Sequence, residues 1–365
     1  MYIKYIVTQL IRQKYFRSDS VGRIGDSELK QQLKENKLAR AYMIYGEESY
    51  LKELYVSRLK DAVVDSAFAD FNFHSYDGKS VGLTAILQDA DMMPMMAERN
   101  FVLAHDYPLD KSSSDIEEIK EFLEDAPETC VVVFWFDSIE VDEKKNSKWK
   151  SIINAFAKYG EAVNMQKKTE GDLVKLVVSY AKKRRCTIDS SNARYLISIV
   201  GSDIKTIFNE LEKICGYVGE DVIDKKVIDE LAVKCLQARV YDLSKCILAG
   251  NSDGAYSILG VLFAQKEEPI SILSVISSCY VDMYRVKCAK SAGAVESELA
   301  NYFNYKGREW LIKNASRDCR TMSNDGLRRA IDILSETDEM MKSTSVDKNL
   351  LLEETVAKLL MLRNM

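Results

Sequence analysis

Short, nearly unbroken apolar runs alternate with amphipathic stretches over the first half of the chain. Residues 41–45 (AYMIY), 100–105 (NFVLAH) and 130–136 (CVVVFWF) are apolar almost throughout, and 71–76 (FNFHSY) and 161–165 (EAVNM) are weaker versions of the same pattern. A strand covered on one face alternates in polarity, whereas a strand covered on both does not. These runs therefore predict four or five strands of a parallel sheet lying between helical layers. After the strand that ends at Gly46, Leu51, Leu54, Tyr55, Leu59, Ala62 and Val63 recur at three and four spacing, which predicts a helix from about Ser49. Residues 84–90, 115–125 and 149–160 predict further helices between the strands, and Asp26 is placed to cap a short one carrying Leu29 and Leu33. An α/β domain is expected over 23–168.

Beyond Lys168 the apolar spacing is helical only. Thr169 with Asp172 three residues later resembles a capping box ahead of Leu173, Leu176, Val177 and Tyr180. Ser190 and Asp203 open two more helices, and Val227, Ile228 and Leu231 mark a fourth, giving a small bundle over 169–235. From 236 to 365 the stripes are longer, as in Leu273, Ile276, Tyr280 and Met283, then Leu327, Ile331 and Leu334, then Leu352, Val356 and Leu359. That block carries 17 basic and 17 acidic residues, and it reads as an interaction bundle. Residues 1–22, basic and partly apolar without a small-residue cleavage site, read as an N-terminal extension.

Composition narrows the chemistry. The 365 residues carry 51 Lys plus Arg against 56 Asp plus Glu, a net charge of -5, which argues against a protein that binds through a uniformly basic surface. With only His74 and His105, catalysis or metal binding through a histidine cluster is nearly excluded. Eight scattered cysteines without a CxxC pair point to reduced thiols in a cytoplasmic protein. No run of 18 apolar residues is present, so no membrane partner is expected.

A strand, glycine turn and helix at the start of an α/β domain is where a phosphate-binding loop would sit. That chemistry needs GxxxxGK[ST], in which backbone N–H groups surround phosphate, a lysine balances its charge and a hydroxyl meets magnesium. Here the turn reads Gly46-Glu47-Glu48-Ser49-Tyr50-Leu51-Lys52: the first glycine survives, Leu51 replaces the second, Glu53 follows Lys52, and two carboxylates face the phosphate position. Like charges a few ångströms apart repel by about 1 kcal/mol even in high dielectric. The turn is a degenerate nucleotide site, with no cofactor and no hydrolysis expected. Asp106 and Asp137, each just past a strand, read as turn residues rather than metal ligands. No GxSxG nucleophile motif occurs.

One stretch is unlike core. Met92, Met93, Met95 and Met96 surround Pro94 between a helix and the strand at Asn100. Proline disfavours a helix interior and the run does not alternate, so it reads as a loop, either projecting toward a partner or filling gaps between sheet and helices. The basic run Lys182, Lys183, Arg184 and Arg185 suits a helix C-terminus. From Lys306 to Arg329 there are seven basic and three acidic residues; Arg317, Arg320, Arg328 and Arg329 could meet nucleic acid or cover a helix face.

Taken in order, AYMIYGEESYLKE, PMMAERNFVL, VVVFWFDSIEVDEKKNSKWK, VGSDIKTIFNELEKICGYVG and EEPISILSVISSCYVDMYRVK resemble the delta-subunit family of bacterial DNA polymerase III, from about residue 25 to the C-terminus. The resemblance implies an AAA+-like α/β domain, a helical lid and a C-terminal helical collar. It implies a subunit of the polymerase III holoenzyme that sits in a pentameric clamp loader with gamma/tau and delta prime, reaches primer-template DNA through the assembled complex, and hydrolyses no ATP itself. It also implies that Met95 and Met96, after Pro94 and before Arg99, enter an apolar pocket on the beta sliding clamp and help open the ring. The alternative is an AAA+-like ATPase with an atypical pocket around Gly46 and Lys52. On the first reading an apolar knob stands beside a nucleotide cradle that no longer works.

Overall fold

A computed structural model of the chain describes residues 22–303, 305 and 310–362. Apart from Gly22, the expected N-terminal extension lies outside the described residues. Contacts divide the chain into two compact units, Met1–Lys167 and Lys168–Met365.

The first unit is built on six strands: β1 (Arg23–Ile24), β2 (Ala41–Tyr45), β3 (Phe73–Asp77), β4 (Asn100–His105), β5 (Cys130–Trp135) and β6 (Glu161–Asn164). Their order is β1-β6-β2-β5-β4-β3 and every pairing is parallel. Six helices connect them: α1 (Asp26–Glu35), α2 (Ser49–Val63), the single turn α3 (Ala69–Asn72), α4 (Leu83–Asp91), α5 (Ser113–Glu124) and α6 (Ser147–Tyr159). Because successive side chains of a strand point to opposite faces, Met43, Val102, Val132 and Phe134 meet the apolar sides of α4, α5 and α6. Tyr42, Ile44, Val131 and Val133 are buried on the other face, where α1 and α2 pack. Double coverage is why β2 and β5 are apolar at consecutive positions.

Three local expectations are corrected. The strand read from 71 begins instead at Phe73, because Asp65 accepts the Ala67 N–H and the chain stays helical through Asn72, leaving Phe71 exposed. Asp26 is the first residue of α1 rather than its cap; Gly25 holds the cap position and its N–H donates to Glu28. The sheet also gains β1, two residues long and too short to carry a periodic signal.

The second unit is helical, in line with the predicted α/β plus all-α class. Four helices come first, α7 (Glu170–Lys183), α8 (Ser190–Val200), α9 (Ile204–Val218) and α10 (Lys225–Leu231). Each is started by a side-chain cap: Thr169, Asp189, Asp203 and Asp224 accept the N–H three residues on. Then follow α11 (Leu236–Ala249), α12 (Ser252–Ala264), α13 (Pro269–Ser291), α14 (Leu299–Tyr302), α15 (Trp310–Asp318), α16 (Asn324–Ser343) and α17 (Lys348–Leu362). Pro269 opens α13, where a missing N–H is harmless. Ile276, Tyr280 and Met283 of α13 share one core with Leu327 and Leu334 of α16 and Leu352 and Val356 of α17.

Phe134 is fully buried and meets the Tyr107 and Phe156 rings edge-on. Phe134→Ala should lower the stability of the first unit by about 3–5 kcal/mol. A urea titration followed by fluorescence of Trp135 and Trp149 measures the loss.

Candidate functional site

In an open parallel sheet, ligands settle at the carboxyl ends of strands where the strand order reverses. Here that place is the exit of β2, which lies between β5 and β6. Only Gly46, Glu47 and Glu48 separate β2 from α2. Gly46 has φ +115°, and a Cβ there would stand 2.5 Å from the Met165 carbonyl oxygen. The Glu48 N–H donates to that same carbonyl at 2.9 Å, so a backbone donor that a phosphate would need is already engaged. The two carboxylates are not equivalent, contrary to expectation: Glu47 is exposed but Glu48 is buried.

Lys52 is 2% exposed. From the first turns of α2 its ammonium donates to the Phe136 carbonyl at 2.8 Å and lies 3.0 Å from Asp137 Oδ1. Burial alone would raise the Asp137 pKa, but hydrogen bonds from Lys52 and Ser49 and the lysine charge hold it below its ordinary value. Asp106, with φ +53°, is buried and accepts the N–H groups of Asp137, Ser138 and Ile139 at 2.8, 3.1 and 3.3 Å. Burial pushes its pKa up, and these amides with the Ser138 hydroxyl outweigh that and bring it down. Asp106 thus builds the turn after β5 through backbone N–H groups, whereas the Asp137 carboxylate is an ion-pair partner of Lys52. The His105 ring lies tilted against Trp135 with centroids 4.3 Å apart, and His74 pairs with Asp89 at 3.0 Å. Among the described residues, no group of three or more His, Cys, Asp or Glu could hold a metal ion.

The methionine loop runs from the end of α4 to the start of β4. Met93 and Met96 are 80% exposed, Met92 53% and Met95 52%, so none fills a gap between sheet and helices. The backbone beneath them is held by two asparagines, each 1% exposed. Asn72, at the end of α3, accepts the Met95 N–H at 2.8 Å and donates to the Met95 carbonyl at 2.9 Å. Asn100, the first residue of β4, donates to the Met92 carbonyl at 2.6 Å. Met96 takes a left-handed φ of +53°, turning the chain back toward the sheet. Pro94 is half-buried in the middle, and Arg99 is half-buried at the root, where its charge is felt by Tyr42 and Cys130.

Pro94, Met95, Met96 and Arg99 therefore share one loop, while Gly46 and Lys52 belong elsewhere. The loop enters β4 at its amino end, and Gly46 leaves β2 at its carboxyl end. In a parallel sheet these are opposite rims, about 15–20 Å apart for strands of this length. The expectation that the knob stands beside the cradle is corrected accordingly. Asn72 and Asn100 were not singled out from sequence; the available signal was a carboxamide placed inside or against an apolar run.

The basic segments are partly engaged. Arg184 pairs with Glu212 and Arg185 with Glu220, both at 2.8 Å, while Lys182 and Lys183 are exposed. Arg317 pairs with Asp318, Arg328 donates to the Tyr284 hydroxyl at 3.0 Å, and Arg320 and Arg329 are exposed. Lys306 and Arg308 lie outside the described residues.

Comparison with known proteins bears on both units. The family described as DNA polymerase III, delta subunit, matches residues 42–166, and that described as DNA polymerase III delta subunit, C-terminal domain, matches residues 237–359. DNA polymerase III subunit delta of Bacillus subtilis (strain 168) is 27% identical over 336 residues, 90% of this chain and 95% of that protein. The probable DNA polymerase III subunit delta of Aquifex aeolicus (strain VF5) is 20% identical over 303 residues, 78% of this chain and 83% of that one. Among solved structures, Bacillus subtilis DNA clamp loader delta protein superposes with a TM-score of 0.62 at 25% identity, covering 92% of this chain and 99% of that one.

Asp106 and Asp137 have pKa values held below the ordinary carboxylate value of about 3.9. The stability they contribute is fully present above that value and is lost as pH falls through it toward the folded-state values. Asp106→Asn should therefore be less stable at neutral pH and show a shallower loss of stability below about pH 4. Urea midpoints collected from pH 7 to pH 3 measure both effects.

Proposed function

The chain belongs to the DNA polymerase III delta-subunit family, and from that premise we propose that it is a clamp-loader subunit whose methionine loop docks on the beta sliding clamp and helps open it for loading onto primed DNA, without hydrolysing ATP. The observation that carries this reading is the exposed pair Met95 and Met96 on a backbone held by buried side chains. Burying two methionines in an apolar pocket yields about 3–6 kcal/mol gross, against about 3–4 kcal/mol of lost rotamer freedom. That margin vanishes if the loop must also be ordered. The Asn72 and Asn100 bonds supply this order before the partner arrives, which is the benefit of preorganisation.

The exposed thioethers need no refolding to dock, so in the loader neighbouring subunits would gate them by covering and uncovering the loop. On this reading residues 23–168 form the AAA+-like domain, 169–235 the lid, and 236–365 the collar that joins gamma/tau and delta prime in a pentamer; primer-template DNA is met through the assembled complex. Nucleotide chemistry is disfavoured because Lys52 is committed to Phe136 and Asp137, and hydrogen bonds to a charged group contribute about 1.5–3 kcal/mol each. The alternative, an ATPase with an atypical pocket, would have to break these bonds first.

Met95→Ala combined with Met96→Ala should weaken clamp capture at least tenfold, measured by surface plasmon resonance, with an unchanged circular dichroism melt; undiminished capture would remove the pair from the docking site. Isothermal titration of the isolated chain with ATP and magnesium should give no binding heat. Turnover that disappears in Lys52→Ala would establish the alternative.

A further inference from the structure

The methionine loop also gathers more exposed thioethers than any other segment among the described residues. The sequence has thirteen methionines. Met43, Met165, Met283, Met322 and Met341 are buried, whereas four of the five positions from 92 to 96 are methionines more than half exposed. Outside the loop, only Met340 and Met361 among the described methionines are exposed, and neither has a second exposed methionine beside it. Leucine or phenylalanine would supply as much apolar area without this chemistry.

We propose that Met92, Met93, Met95 and Met96 form a reversible oxidation site that releases the clamp. The inference rests on the docking reading above for its consequence, but not for the chemistry. The oxidant is a hydroperoxide. A thioether sulfur lone pair attacks one oxygen of hydrogen peroxide, the O–O bond breaks, and the departing hydroxide takes the proton from the newly sulfur-bound oxygen and leaves as water. Sulfur is oxidised to the sulfoxide and peroxide is reduced. The product is polar and chiral, so carrying it into an apolar pocket strips water from a strong acceptor with nothing to replace it. Methionine sulfoxide reductases restore the thioether at the expense of a thiol reductant.

The anchoring geometry separates this from general damage. Asn72 and Asn100 bind the Met95 and Met92 backbone and not the sulfur atoms, so sulfoxidation leaves those bonds in place. The altered surface is then the only change, and the fold persists. Cysteine oxidation has a different reversal: Cys288 is the exposed thiol among the described residues, and dithiothreitol reverses its sulfenic acid and disulfide but not a methionine sulfoxide.

The test treats the full-length chain with hydrogen peroxide, removes excess with catalase, and divides the sample between peptide mass spectrometry and clamp binding. Expected are sulfoxides at Met92, Met93, Met95 and Met96 ahead of Met43, Met165 and Met283, an unchanged melt, and at least a tenfold fall in clamp affinity. MsrA with MsrB should restore that affinity, and dithiothreitol alone should not. In the chain carrying Met92→Leu, Met93→Leu, Met95→Leu and Met96→Leu, the ratio of treated to untreated affinity should stay near one, whatever the untreated value. Loop methionines oxidising no faster than the buried ones overturn the proposal, as does a sulfoxidised loop that still captures the clamp. An untreated wild-type chain that captures no clamp overturns the docking reading and the functional half of this inference, and the oxidation map then stands or falls on its own.

Discussion

A parallel sheet has two unlike rims, and the first unit depends on that polarity. Because β1 to β6 all run the same way, each loop that leaves a strand gathers on one rim and each loop that enters a strand gathers on the other. The Gly46 turn and the Phe136–Asp137 exit fall on the first, and the methionine loop falls on the second. The sheet thus separates a closed polar crevice from an exposed apolar tip by the length of its own strands. The two rims are joined through the packed strands and the helices that cover both faces of the sheet.

Both rims are held by the same physics, applied to opposite ends. Burial leaves a polar side chain with no water to bond, so it must find a partner in the protein, and the partner becomes fixed in turn. At the carboxyl rim Lys52 and Asp106 meet carbonyls and amides of the β5 exit and close the crevice. At the amino rim Asn72 and Asn100 meet the backbone of the methionine loop and hold it outward. In one place the bonds close a polar crevice, and in the other they stiffen an exposed apolar loop.

Fold class was legible because local pattern encodes it. AYMIY and CVVVFW require cover on both faces, and the caps at Thr169, Asp203 and Asp224 sit where the helical stripes begin. Two-residue β1 has no period to read, and the start of β3 was displaced because FNF looks extended until Asn72 is seen bonding the Phe68 carbonyl behind it. The site was legible in part. Four methionines around a proline announce a loop, and the loss of GxxxxGK announces an altered phosphate turn. Their supports were hidden, because Lys52 finds Phe136 84 residues away and Asn72 finds Met95 23 residues away. The relation between cradle and knob also escaped, since strand order and direction are properties of the sheet and not of either motif.

The division of labour proposed for the methionine loop follows from what each component would lose on docking. Backbone order is expensive, about 1–2 kcal/mol per residue, and the fixed φ of Pro94 with the bonds to Met92 and Met95 removes much of that loss in advance. Side-chain order is what remains. Methionine loses more of it than leucine, but its unbranched, polarisable chain fills a pocket of imperfect shape. On the docking reading, a stiff backbone carrying soft side chains therefore suits a contact that would form and break repeatedly. The same sulfur that supplies the softness is the atom that a peroxide can reach, so adaptability and chemical vulnerability come from one choice of residue.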